Sequence, residues 1–243
     1  MSGSIIVFSG MDGAGKSTQI DSLRDELFSA GRRPVTLWSR GGYTPGMNLV
    51  KSLMRRGSAG KVVPASGPSD SRTQAFQRPV VRRTWLSLAL VDLILLYGVW
   101  LRLQTWMGRD VICDRYLEDT ALDFQINFPQ ESVSDWWLWR LLRMFRPRPD
   151  FTFLLLISVD ESQRRSKLKN EPFPDSADVL ETRLAAYQAW KEQARSTIHV
   201  IDGTRSIEDV ARMVQSAVIG GNAVHSQRAD SNHLPNSHQS HSA

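Results

Sequence analysis

Three groups of residues have the types and spacing to handle phosphate. The first is the run Gly10-Met11-Asp12-Gly13-Ala14-Gly15-Lys16-Ser17-Thr18, which fits Gly-x-x-x-x-Gly-Lys-Ser. Glycines let a backbone turn with its N–H groups inward, and a helix start adds its dipole to their pull on an anion. Lys16 is a mobile charge for the outer phosphates of a nucleotide, Ser17 a hydroxyl for Mg²⁺, and Thr18 a second hydroxyl beside it. The second is Asp114-Arg115-Tyr116, directly after the apolar Val111-Ile112-Cys113. An acid at a strand tip can hold Mg²⁺ or its water shell, and an arginine next to it can fork onto a second phosphate. The third is Arg164, Arg165, Lys167 and Lys169, four cations in six residues, suited to neutralising charge during phosphoryl transfer. Each has a plainer reading: a glycine turn with a chance lysine, an ion pair at a strand end, a basic helix face.

The elements around them decide the first case. Residues 5–8 (Ile-Ile-Val-Phe) form an apolar run long enough for a buried strand, and Ile20, Leu23, Leu27 and Phe28 recur at helical spacing up to Gly31. Strand, glycine loop and helix in that order are a P-loop. Residues 35–38 predict a second strand leading into loop 39–46, at the strand end where open α/β sheets bind ligands, so Arg40 is a phosphate-contact candidate as well as a candidate solvated arginine. A short helix is expected over 47–56. Residues 57–79, rich in Gly, Ser and Pro, read as a mobile loop or part of a substrate lid.

Residues 85–107 are the most apolar stretch. As a membrane span they would hide Asp92 in mid-bilayer, so a core helix is expected, with Asp92 facing a site or an internal partner. A membrane-skimming face stays open, because Arg78, Arg82 and Arg83 lie upstream. Asp119 and Asp123 share one face of a helix, which is tolerable if a metal, an arginine or a polar substrate sits between them; otherwise they are a solvated acidic face. Trp136, Trp137 and Trp139 with Leu138, Leu142 and Phe145 suit packing or a protein partner better than base stacking. Residues 151–157 predict a fully buried strand of a parallel sheet. Residues 162–176 read as a lid or as a basic helix face, and 177–196 as a helix turning Leu180, Leu184, Tyr187 and Trp190 inward. A last strand at 199–202 and a helix at 207–219 follow.

The 243 residues suit one α/β domain, taken as 1–219, and the formal charge of +5 suits an anionic partner. A single cysteine, Cys113, rules out an internal disulfide, and with no basic segment before the first apolar run a cytoplasmic location is expected. From Gly220 the composition is small and polar. Four of the five histidines fall there without ligand spacing, so 220–243 is expected to be a disordered tail.

These residues together resemble the thymidylate kinase family of P-loop nucleoside monophosphate kinases, over about 5–214. The match is carried by Phe8 through Thr18, Asp114-Arg115-Tyr116, Pro149-Asp150 before a strand, Arg164-Arg165, Tyr187, and Ile201-Asp202-Gly203. The resemblance implies a three-layer P-loop fold: a parallel five-stranded sheet flanked by helices, with a lid segment. It implies ATP and Mg²⁺ as donor and cofactor, and phosphoryl transfer to a monophosphate, foremost dTMP. It places Asp12 near the acceptor sugar, Arg115 on the acceptor phosphate and Arg165 against adenine, and it gives Asp202 and Gly203 to the nucleotide site. Lys167 and Lys169 stand where arginines are usual, and lysine cannot fork onto two oxygens. The family's thymine-contacting arginine is replaced by Leu93 after Asp92, and its Arg-Glu-Pro-Gly-Gly-Thr loop survives only as Arg40-Gly41-Gly42. Asp119 better fits a divergent subgroup, some of whose members are associated with surface-polysaccharide synthesis. Two other readings therefore stand beside dTMP: a non-thymidine acceptor such as a sugar-linked phosphate, and an ATP-binding regulator without transfer. The expected partners are nucleotides, with no nucleic acid, membrane contact not favoured, and a homodimer by family analogy.

Overall fold

A computed structural model describes residues 3–39, 76–170, 174–194 and 198–231, the segment 221–231 by its backbone alone. Strands Ile5–Gly10 (β1), Pro34–Trp38 (β2), Asp110–Asp114 (β3), Phe151–Leu156 (β4) and His199–Asp202 (β5) form one sheet in the order β2-β3-β1-β4-β5, every pair parallel. A parallel sheet is covered on both faces, which is why its central strands are apolar throughout rather than alternating. All of β1 is buried, as is β4 up to its last residue. Alternate side chains of β1 feed two cores: Ile6 and Phe8 pack with Leu23, Phe153 and Tyr187, while Ile5 and Val7 pack with Leu90, Tyr97 and Val111. Cys113 lies in the second core, where burial drives its thiol pKa well up and leaves it inert.

The covering helices are Lys16–Ser29 (α1), Pro79–Leu95 (α2), Arg102–Trp106 (α3), Leu117–Asn127 (α4), Trp137–Phe145 (α5), Val159–Leu168 (α6), Ala177–Gln193 (α7) and Ile207–Ser231 (α8). A π-helical stretch, Leu96–Leu101, joins α2 to α3 without a break. The whole unit, Pro79–Trp106, is 28 residues long and apolar enough by length and composition to cross a membrane. Leu86, Ala89, Leu90, Leu93, Tyr97 and Leu101 are sealed in the second core, whereas Val91, Leu95, Val99 and Trp106 are exposed. A core helix is thus realised along one face only.

This helix starts earlier than the apolar run suggests because Pro79 can occupy its first turn, where a missing N–H costs nothing. Likewise α8 continues past Gly220 to Ser231, where the sequence predicts a tail from residue 220. Ala223, Gln227, Arg228 and Ala229 are good helix formers, and two glycines cost only about 1 kcal/mol each. The expected loop from Arg40 to residue 46, the helix at 47–56, the loop at 57–75 and the tail beyond 231 lie outside the described residues.

Register brings the chemistry to one edge. Phe8 of β1 and Trp38 of β2 both pair with Asp114, so the carboxyl ends of three neighbouring strands open beside the glycine loop. Gly10 makes the turn possible: its φ is 130°, and a Cβ there would stand 1.9 Å from the Leu155 carbonyl oxygen. Gly15, at φ 91°, has nothing within 4 Å of that point. Gly10→Ala is therefore expected to cost more than ~3 kcal/mol or abolish folding, and Gly15→Ala only ~1–2 kcal/mol, as read by urea denaturation.

Candidate functional site

The glycine loop enters α1 through Gly15 in a left-handed conformation, so Lys16 is the first residue of the helix. Its ammonium is buried and donates to the carbonyl oxygens of Gly10 (3.0 Å) and Met11 (2.8 Å), 3.8 Å from Asp12 Oδ1. Burial, with the nearby Arg115 charge, lowers the Lys16 pKa to about 8 against the pull of Asp12, Asp114 and Asp119. Ser17 and Thr18 are exposed on the first turn, while Met11 and Ala14 are buried. The turn after β5 closes the other side: a Cβ on Gly203 would stand 3.0 Å from the Ala14 carbonyl oxygen, and Asp202 accepts from Thr204 N and Oγ1.

Asp114 ends β3 with its Oδ1 buried and without a hydrogen-bond partner among the described residues. Burial raises its pKa while Lys16 and Arg115 pull it down. An unused, desolvated carboxylate oxygen fits a cation. Among the described residues no group of three or more His, Cys, Asp or Glu side chains is placed to hold a metal. A cation there would take few protein ligands and complete its shell with phosphate and water, which is the habit of Mg²⁺.

Arg115 follows at φ 76°, a strained conformation for a residue with a side chain. Its guanidinium is enclosed by Asp12, to which Nη2 donates, and by Asp119 Oδ1 and Tyr187 Oη, each 3.4 Å from Nη1. Asp119 also accepts from Ser9 Oγ (2.5 Å), Tyr187 Oη (2.7 Å) and the Tyr116 N–H (3.2 Å). Asp123, one turn on, is ion-paired with Arg183 at 2.8 Å, and Arg183 Nε donates to Asp175 at 2.9 Å. The solvated acidic face is overturned: both carboxylates are buried, and arginines from β3's tip and α7 separate their charges. Sequence reasoning missed Arg183. The signal was its phase, between Leu180 and Tyr187 on the inward side of α7.

The basic segment is ordered as α6, with Ser158 accepting from Glu161 N–H at its start. Arg165 Nη1 donates to the Gly13 carbonyl (3.0 Å) and Ser162 Oγ to the Asp12 carbonyl (2.7 Å), so this helix rests on the glycine loop. Arg164 bonds Glu161 at the surface, and Lys167 and Lys169 are exposed. Asp92 is half-buried on α2, five residues before Tyr97, whose hydroxyl meets Ser39 Oγ at 2.7 Å at the end of β2. Arg40 lies outside the described residues.

A parallel sheet with a P-loop after its first strand and an Asp-Arg pair at the adjoining strand tip defines a P-loop nucleotide phosphotransferase. Over residues 100–214 the chain matches the family model described as thymidylate kinase. It is 27% identical over 222 residues to a thymidylate kinase of Bartonella henselae, covering 88% of this chain and 94% of that one. A Bifidobacterium longum subsp. infantis thymidylate kinase is 28% identical (90% and 87% covered), and one from Burkholderia cenocepacia 26% (88% and 96%). Along about 90% of its length the chain is thus similar to thymidylate kinases, which are nucleoside monophosphate kinases.

The negative charge of a bound nucleoside triphosphate favours the protonated Lys16, so above pH 8 binding takes up a proton. Nucleotide affinity is expected to fall as pH rises past about 8, by up to ~10-fold per unit, with proton uptake measurable by calorimetry in buffers of different ionisation heat.

Proposed function

We propose that the protein transfers the γ-phosphoryl group of Mg·ATP to a nucleoside monophosphate, with dTMP the leading acceptor. The observation that carries this is Arg115 buried against P-loop Asp12 beside Asp114, which puts a candidate acceptor-phosphate ligand within the donor's cradle. Lys16 and the amides from Gly10 to Thr18 hold the donor phosphates, and Arg115, with Arg40, orients the acceptor. Ser17 and Asp114 would hold Mg²⁺, which when bound spreads the charge of the β- and γ-phosphates.

An acceptor phosphate is already ionised near neutral pH, so one of its oxygens attacks the γ-phosphorus without a protein base. The bond from that phosphorus to the β–γ bridging oxygen breaks, and ADP leaves with the electron pair. The protein contributes positioning and fixed positive charge. Arg165, already on the loop, contacts the donor, and Arg164, Lys167 and Lys169 supply further charge from α6.

A second reading rests on Leu93. It is fully buried in the core and cannot read a base, although it stands where the resemblance places a thymine-contacting arginine. Acceptors other than dTMP, including sugar-linked phosphates, fit that observation. Turnover with a panel of dTMP, dUMP, UMP and sugar phosphates decides between them: preference for dTMP removes the second reading, and ATP binding without ADP formation on any acceptor sinks both. Lys16→Ala is expected to lower kcat by ~1,000-fold while circular dichroism and Tm stay close to the parent's.

A further inference from the structure

Arg183 is a buried cation, 2% exposed, whose ion pairs are with Asp123 and Asp175, outside the glycine loop and the strand tips. Its two ion pairs and the Tyr187 bond form a pattern. Asp119 and Asp123 sit one turn apart on α4, and Tyr187 and Arg183 one turn apart on α7, in reverse order. The helices are clasped by two polar rungs, Asp119 with Tyr187 (2.7 Å) and Asp123 with Arg183 (2.8 Å). The first rung is shared with Arg115. The second continues through Asp175 (2.9 Å) into the segment just before α7, whose sequence neighbour on the other side is the basic helix α6.

As pure stabilisation this is a poor arrangement. Buried ion pairs are often replaceable by apolar residues of similar volume with no loss, because desolvation offsets attraction. A planar fork that reaches two acids on different elements does something an apolar side chain cannot: it fixes the rotation and height of α7 against α4.

We propose that Arg183 is a positioning residue for the phosphoryl acceptor: the Asp175–Arg183–Asp123 clasp holds α7 so that Tyr187 and Asp119 aim the Arg115 guanidinium. This rests on Arg115 gripping the acceptor phosphate. The prediction is weighted to one substrate, since Arg183 and Tyr187 bond the groups around Arg115 rather than Lys16 or the glycine-loop amides.

The test uses the full chain with Arg183→Lys, which keeps the charge but not the fork, and Asp175→Asn, which spares the Asp123 pair. Arg183→Met removes the charge that Asp123 faces, and serves only if it folds. With ATP and acceptor varied separately, both variants are expected to raise acceptor KM about 5–10-fold with ATP KM within twofold. Hydrogen–deuterium exchange of peptides covering 115–124 is expected to quicken in Arg183→Lys, with the β4 peptide unchanged. Unchanged exchange overturns the proposal, and so does quicker exchange with an unmoved acceptor KM or a rise in both KM values together. If no acceptor supports turnover, the phosphotransfer reading fails by itself, and exchange alone then decides whether Arg183 holds the Arg115 segment.

Discussion

A guanidinium is sealed at the carboxyl edge of the sheet, and the surrounding structure is arranged to make that tolerable. Taking the Arg115 charge out of water costs several kcal/mol unless it is fully paired. Its partners come from three places in the chain: Asp12 from the glycine loop, Asp119 from α4 and Tyr187 from α7. Burial opposes the charge, and the surrounding groups outweigh burial, holding the arginine pKa above its ordinary value. Asp119 is satisfied in turn by Ser9 and the Tyr116 N–H, which ties the arrangement back to β1 and to the start of α4. Loss of any one partner would leave a buried charge, so the fold and the site share one set of interactions.

The parallel sheet makes this edge available. Because β1 and β3 run side by side with Phe8 opposite Asp114, residues separated by a hundred positions emerge at the same height. Lys16 then lies near enough to Asp114 for each to shift the other's titration. The arrangement separates roles by element: strand tips carry the acid and the arginine, the helix start carries the anion cradle, and α6 leans on the cradle through Arg165 and Ser162.

Much of this was legible from residue order alone. Gly10 to Thr18 is a contiguous pattern whose geometry is local, and the apolar runs at β1, β3 and β4 report burial on both faces without needing a partner. The spacing of Asp119 and Asp123 puts them on one helix face, but does not say whether a metal, an arginine, a polar substrate or solvent answers their charge. Arg183 arrives from sixty residues away: its phase on α7 marks it as inward, but only tertiary packing pairs it with Asp123. The basic run 164–169 read as one functional unit because its charges are adjacent, whereas helical phase divides it: Arg165 meets the loop and Lys167 faces solvent. Composition also misjudged α8, since polarity argues for solvation and not against helix.

The lowered pKa of Lys16 has a chemical corollary. Burial makes this amine easier to deprotonate than an ordinary lysine, with its pKa lowered to about 8. An unprotonated amine is a nucleophile, and one buried beside the glycine loop would be reached by phosphate-bearing aldehydes or acylating nucleotide analogues that enter the anion cradle, not by reagents that stay at the surface.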